Sequence, residues 1–146
     1  MISSSGRLEW KAAKATCQAK PLTNWPPKSG TKTIAVPLPH IQRGEVWVVD
    51  LGYLGKVRPV VVVSVPFREN ERTLCIVVPH TTMLRGTRFE VAIPFPWLEP
   101  GAFDAQQTAA VQAIKFERRL GTLNPLQMAS VERALAGVLG LRLASP

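Results

Sequence analysis

The stretch Lys56-Val57-Arg58-Pro59-Val60-Val61-Val62-Val63-Ser64 constrains this chain more than any other. Valine branches at Cβ and fits extended backbone better than helix. Proline also holds the residue before it in an extended conformation, so Arg58 opens a strand with its guanidinium set in a defined direction. Further on, Val77-Val78-Pro79-His80-Thr81-Thr82 reads as a strand that closes on paired hydroxyls. A fixed cation and hydroxyl donors meeting at a sheet edge suit a phosphate that gains charge in a transition state.

Other short runs of the same character surround these two from Arg43 onward. Glu45-Val46-Trp47-Val48-Val49-Asp50 is a strand candidate, followed by a turn from Gly52 to Gly55. Leu74 to Pro79 is predicted as a third strand, Phe89 to Ile93 as a fourth, and Ala109 to Ile114 as a fifth, weakened by its alanines. Short strands with Gly and Pro turns predict a mainly β fold, a small, strongly curled antiparallel barrel. Asn124 caps a helix that Pro125 begins, and Met128, Val131, Leu135, Val138 and Leu139 recur on one of its faces. That helix is expected to close the barrel.

Residues 1–40 are different. They hold Ser3-Ser4-Ser5, Pro21, Pro26-Pro27, Pro37 and Pro39, and six Lys/Arg against one Glu, so most of the net charge of +8 sits there. The reading is a basic, largely flexible extension before a domain at 41–146, with a weak helical stretch at Leu8 to Lys20. Such an arm either grips phosphate or merely aids solubility. The longest aliphatic run, Val60 to Val63, is far short of a membrane span, and the start lacks a signal-like apolar segment, so a cytoplasmic protein is expected. Cys17 and Cys75 share no metal-ligand spacing and are expected as free thiols.

Among the side chains near the two central strands, Arg58 is the cation and Thr81 and Thr82 are the hydroxyl donors. Strand alternation puts Thr81 and Thr82 on opposite faces, and His80 opposite Thr81. His80 is the group nearby that exchanges protons close to neutrality, unless it simply points to solvent. No His/Cys/Asp/Glu cluster has metal spacing and no Gly-rich phosphate loop is present, so a site without metal or cofactor is expected.

Taken in order, Arg43-Gly44-Glu45-Val46-Trp47, Val57-Arg58-Pro59-Val60-Val61-Val62, Val78-Pro79-His80-Thr81-Thr82, Phe89-Glu90-Val91 and the Leu123 to Leu141 helix resemble the MazF/PemK family of toxin endoribonucleases. The resemblance covers about residues 41–141. It implies an SH3-like antiparallel barrel with a C-terminal helix, as in the MazF/PemK/CcdB-like folds, and a homodimer whose groove takes single-stranded RNA. It also implies a toxin of a type II toxin–antitoxin system that cleaves mRNA without metal. In that chemistry the neighbouring 2′-hydroxyl attacks and leaves a 2′,3′-cyclic phosphate and a 5′-hydroxyl. Arg58 and Thr81 match the paired catalytic residues of that family. Lys56, Thr82, Gln112 and Lys115 are the expected RNA contacts, and the implied partner is a MazE-like antitoxin with an acidic, disordered tail, the pair binding DNA together.

Two departures bear on mechanism. Gln112 stands where many members carry an acid, and the loop before Arg58-Pro59 is reduced to Gly52-Tyr53-Leu54-Gly55-Lys56. An amide is no base near neutrality, so His80 is expected to take the 2′-hydroxyl proton. Tyr53 or Phe116 would stack on an unpaired base. Two other readings keep the fold but drop the catalysis: a gyrase-binding toxin related to CcdB, and a degenerate RNA-binding module.

Overall fold

The computed structural model describes residues 37–52 and 57–143. The expectations for Leu8 to Lys20, Cys17, Tyr53 and Lys56 lie outside these residues. Among the described residues seven strands and one α-helix follow in order: β1 Glu45–Asp50, β2 Val57–Val62, β3 Leu74–Thr81, β4 Glu90–Val91, β5 Ala102–Asp104, β6 Ala109–Gln112, β7 Phe116–Thr122 and α1 Pro125–Leu139. Short 3₁₀ turns at Ala105–Gln107 and Ala113–Lys115 separate β5 from β6 and β6 from β7.

All strand pairs are antiparallel, in the spatial order β4-β5-β3-β2-β1-β7, with β6 also on β3. The far edge of β3 is shared: Leu74 to Val77 pair with β6, and His80 and Thr81 pair with β5. Among the described residues no ladder joins the two ends of this order, so the expected closed barrel is instead an open antiparallel sheet. The fourth predicted strand contracts to Glu90–Val91 and the fifth stops at Gln112.

Alternation along β1, β2 and β3 feeds two cores. Trp47, Val49, Val60, Val62, Cys75 and Val77 enter one of them, where Phe116 meets Trp47 edge-on at 5.8 Å. Val46, Val61, Val63 and Val78 enter the other with Phe103, Met128 and Val131. The valine run is therefore buried on both faces, each side chain contributing about 1.5–3 kcal/mol. Phe116 is 6% exposed, which removes it as a base-stacking surface. Cys75 is a free, buried thiol whose pKa burial pushes up, against the Ser64 hydrogen bond.

Helix α1 begins as its sequence requires. Asn124 accepts from the Gln127 backbone at 2.9 Å while the Gln127 side chain accepts from the Asn124 backbone at 2.9 Å, and Pro125 follows the cap. Gly140 ends the helix in the left-handed region, at φ 66°. Met128 and Val131 are buried as expected, but Val138 and Leu139 at the last turn are exposed and Ala134 and Ala136 are buried in their place. The helix packs on β4 and on the 3₁₀ turn at Ala105–Gln107. No helix among the described residues is long and apolar enough to cross a membrane.

Candidate active site

The β2–β3 ladder runs Val62↔Val77, Val61↔Val78, Val60↔Pro79 and stops there. Proline supplies no N–H, so Pro59 cannot extend the ladder and the strands part at this point. Carried two residues further, the same register would set Arg58 across from Thr81. Both border one cleft of about 540 Å³, with His80, Thr82, Trp97, Glu99 and Arg118. The structure thus brings together Arg58, His80, Thr81 and Thr82 from the sequence reading.

Thr81 is half-buried. Its Oγ1 accepts the Met83 backbone N–H at 3.2 Å, which leaves the hydroxyl proton free to donate elsewhere. Arg58 is half-buried and, like the exposed Arg118, has no ion-pair partner among the described residues. An unpaired cation beside a hydroxyl donor is a receptor for a phosphate oxygen.

His80 is 4% exposed, neither solvent-facing nor open at the strand end. Its ring meets Phe103 edge-on at 5.3 Å. Nε2 is buried without a hydrogen-bond partner. Burial lowers the His80 pKa below the ordinary 6.5, and the charge of Glu99 pulls the other way. Gly101 explains the tight wall here: a Cβ at that position would lie 2.7 Å from His80 Cε1, 2.9 Å from Nε2, and against the Thr81 carbonyl. Only glycine lets β5 approach β3 this closely.

Gln112 and Lys115 lie elsewhere. They line a separate hollow of about 330 Å³ with Asp50, Leu51 and Leu74. Lys115 Nζ sits against Gly52, where an added Cβ would be 2.8 Å from it. Lys56 is outside the described residues. No group of three or more potential metal-ligating side chains occurs among the described residues.

The sequence reading missed three cleft residues. Arg118 comes from β7 through its pairing with Val48, while its neighbour Arg119 turns to Glu45 at 3.1 Å. The Glu117-Arg118-Arg119 run before Gly121 was the available signal. Trp97 and Glu99 come from the β4–β5 loop, where Phe95 stacks on Trp97 at 4.4 Å. Gly121 leaves room for that indole, since a Cβ there would lie 2.6 Å from its Cζ2.

The pattern of the PemK-like, MazF-like toxins of type II toxin–antitoxin systems matches residues 42–139. The chain belongs to this family. Two mycobacterial structures share the fold. One, an endoribonuclease in complex with its cognate antitoxin, is 28% identical with a TM-score of 0.61, covering 70% of this chain and 98% of that one. The other, an endoribonuclease, is 26% identical with a TM-score of 0.60, covering 75% and 98%. A MazE–MazF structure from Deinococcus radiodurans, 22% identical with a TM-score of 0.59 over 72% and 98%, agrees in fold. No curated protein sequence matches the chain. In this MazF/PemK toxin, Arg58, Pro59, Thr81 and Thr82 line one cleft.

Proposed function

We propose that this MazF/PemK toxin is a sequence-selective endoribonuclease that cleaves single-stranded RNA with side-chain groups alone. The observation that carries the reading is the joint placement of Arg58 and Thr81 at one cleft. The attacking 2′-oxygen bonds to phosphorus, the P–O5′ bond breaks, and the products are a 2′,3′-cyclic phosphate and a 5′-hydroxyl. Arg58 stabilises the charge gathered on the non-bridging oxygens of the phosphorane, and the Thr81 hydroxyl donates to the same oxygens. Arg118 holds a neighbouring phosphate, and Thr82 adds a donor at the exposed rim. Gln112 and Lys115, which border a separate hollow, and Lys56 complete the proposed RNA path. His80 is part of the wall, and its proposed part in proton transfer requires a ring nitrogen open to substrate.

The mycobacterial endoribonuclease is held with its cognate antitoxin, which supports a partner of the same kind for this chain, with an acidic segment competing with RNA for the cleft. We include a homodimer in the proposal. Its support is the apolar end of α1, where Val138, Leu139 and the following Leu141 are exposed. The test is incubation of end-labelled single-stranded RNA, and its DNA counterpart, with wild type, Arg58→Ala and Thr81→Val. Cuts confined to RNA and lost in both variants support the reading. Cleavage that persists in Arg58→Ala overturns it.

A further inference from the structure

We propose that Glu99 is a catalytic residue of this cleft, taking the proton from the attacking 2′-hydroxyl. The inference rests on the ribonuclease reading and deepens it. A cation, a hydroxyl and a phosphate do not remove that proton: guanidinium stays protonated and a threonine hydroxyl is a far weaker base than a carboxylate. Of the described residues lining the cleft, Glu99 is the one carboxylate. The other candidate base, His80, has Nε2 buried behind Gly101. Gln112, at the place where the family often has an acid, borders a different hollow.

Glu99 is also held, although its side chain is exposed. Leu98, the residue before it, packs into the second core and donates its backbone N–H to the Phe95 carbonyl at 3.2 Å. Two residues after it, Gly101 is locked against β3. Pro100 between them restricts Glu99 to extended backbone, the same device that Pro59 applies to Arg58. The carboxylate itself has no hydrogen bond or ion pair among the described residues, so it is free to accept a proton. Glu99, His80 and Thr81 line the same cleft.

The step balances without a further reagent. Glu99 takes the 2′-hydroxyl proton as the 2′-oxygen bonds to phosphorus. The P–O5′ bond breaks and the 5′-oxygen takes a proton from water. Glu99 then releases its proton to solvent.

The experiment uses the full chain and a single-stranded RNA containing one mapped cut, in single turnover, with Glu99→Gln, Glu99→Asp and wild type. Expected is a loss of roughly 10²–10⁴-fold in cleavage rate for Glu99→Gln, partial retention by Glu99→Asp, and unchanged or tighter binding of the same RNA made 2′-deoxy at the cut. A Glu99→Gln rate within about threefold of wild type, or weaker binding with an unchanged rate, overturns the assignment. Unchanged melting of the variants shows that the fold is intact. If wild type itself leaves RNA uncut, the ribonuclease reading fails first, a result distinct from an active Glu99→Gln.

Discussion

Gly101→Ala is a one-methyl test of how the cleft is built. The added Cβ would lie 2.7 Å and 2.9 Å from two atoms of the His80 ring and closer still to the Thr81 carbonyl. Ordinary contacts are about 3.5–4.0 Å, so the neighbours must separate by close to 1 Å. The imidazole cannot swing away, since His80 is 4% exposed and packed on Phe103. The carbonyl belongs to β3 and moves only with the strand. Overpacking of this kind costs about 1–3 kcal/mol. With about 3–5 °C lost per kcal/mol for a domain of this size, the melting temperature should fall by roughly 8 °C. The same displacement moves Thr81 and Glu99 relative to Arg58, and a misplacement of about 1 Å can cost on the order of 10²-fold in rate. Differential scanning fluorimetry and single-turnover cleavage measure both. A Gly101→Ala protein that melts and cleaves like wild type would refute the close-approach argument.

Other outcomes follow from separate parts of the molecule. Asn124→Ala removes the capping box and should cost about 1 kcal/mol in chemical denaturation with little change in cleavage; an unchanged midpoint contradicts it. His80 has a folded pKa below its unfolded value, so its stabilisation is complete above about pH 6.5 and is lost as the pH falls through the folded value. Melting temperature should therefore drop on acidification below that point, and more shallowly in His80→Gln; parallel curves would show that His80 does not contribute. Arg118→Ala should weaken RNA binding, lower the log–log salt slope by about 0.7 and leave the rate at saturation nearly unchanged; an unaltered slope removes Arg118 from the phosphate path.

The sequence was most readable where one local preference dominated. The valines of β2 and the alternation of β1 specify strands whatever surrounds them, and Asn124-Pro125 announces a helix start through chemistry confined to four residues. β5 was hidden because Ala and Asp on either side of Phe103 disfavour a strand; it is extended because β3 and β4 flank it, and all three residues are buried. β7 was hidden for the opposite reason. Among the described residues it pairs with β1 alone, so Glu117, Arg118 and Arg119 stay exposed and the segment reads as a polar loop. The end of α1 misled because spacing assigns a face without saying whether the fold covers it.

The candidate site divides along the same line. Arg58 and Thr81 were legible because prolines at 59 and 79 mark where their strands part. Glu99, Trp97 and Arg118 join them only through the folding of a loop and the docking of an end strand, which no spacing in the sequence encodes. His80 stood beside the right residue, and the structure buries it, because the glycine that seals it is 21 positions away along the chain.

The most direct test of the account is cleavage of a long, unstructured RNA in EDTA by wild type and by Arg58→Ala, with both ends of every product mapped. The account predicts discrete cuts by wild type that end in a 2′,3′-cyclic phosphate and begin with a 5′-hydroxyl, all of them absent with Arg58→Ala. Intact RNA after incubation with wild type, or the same cuts made by the variant, would contradict it.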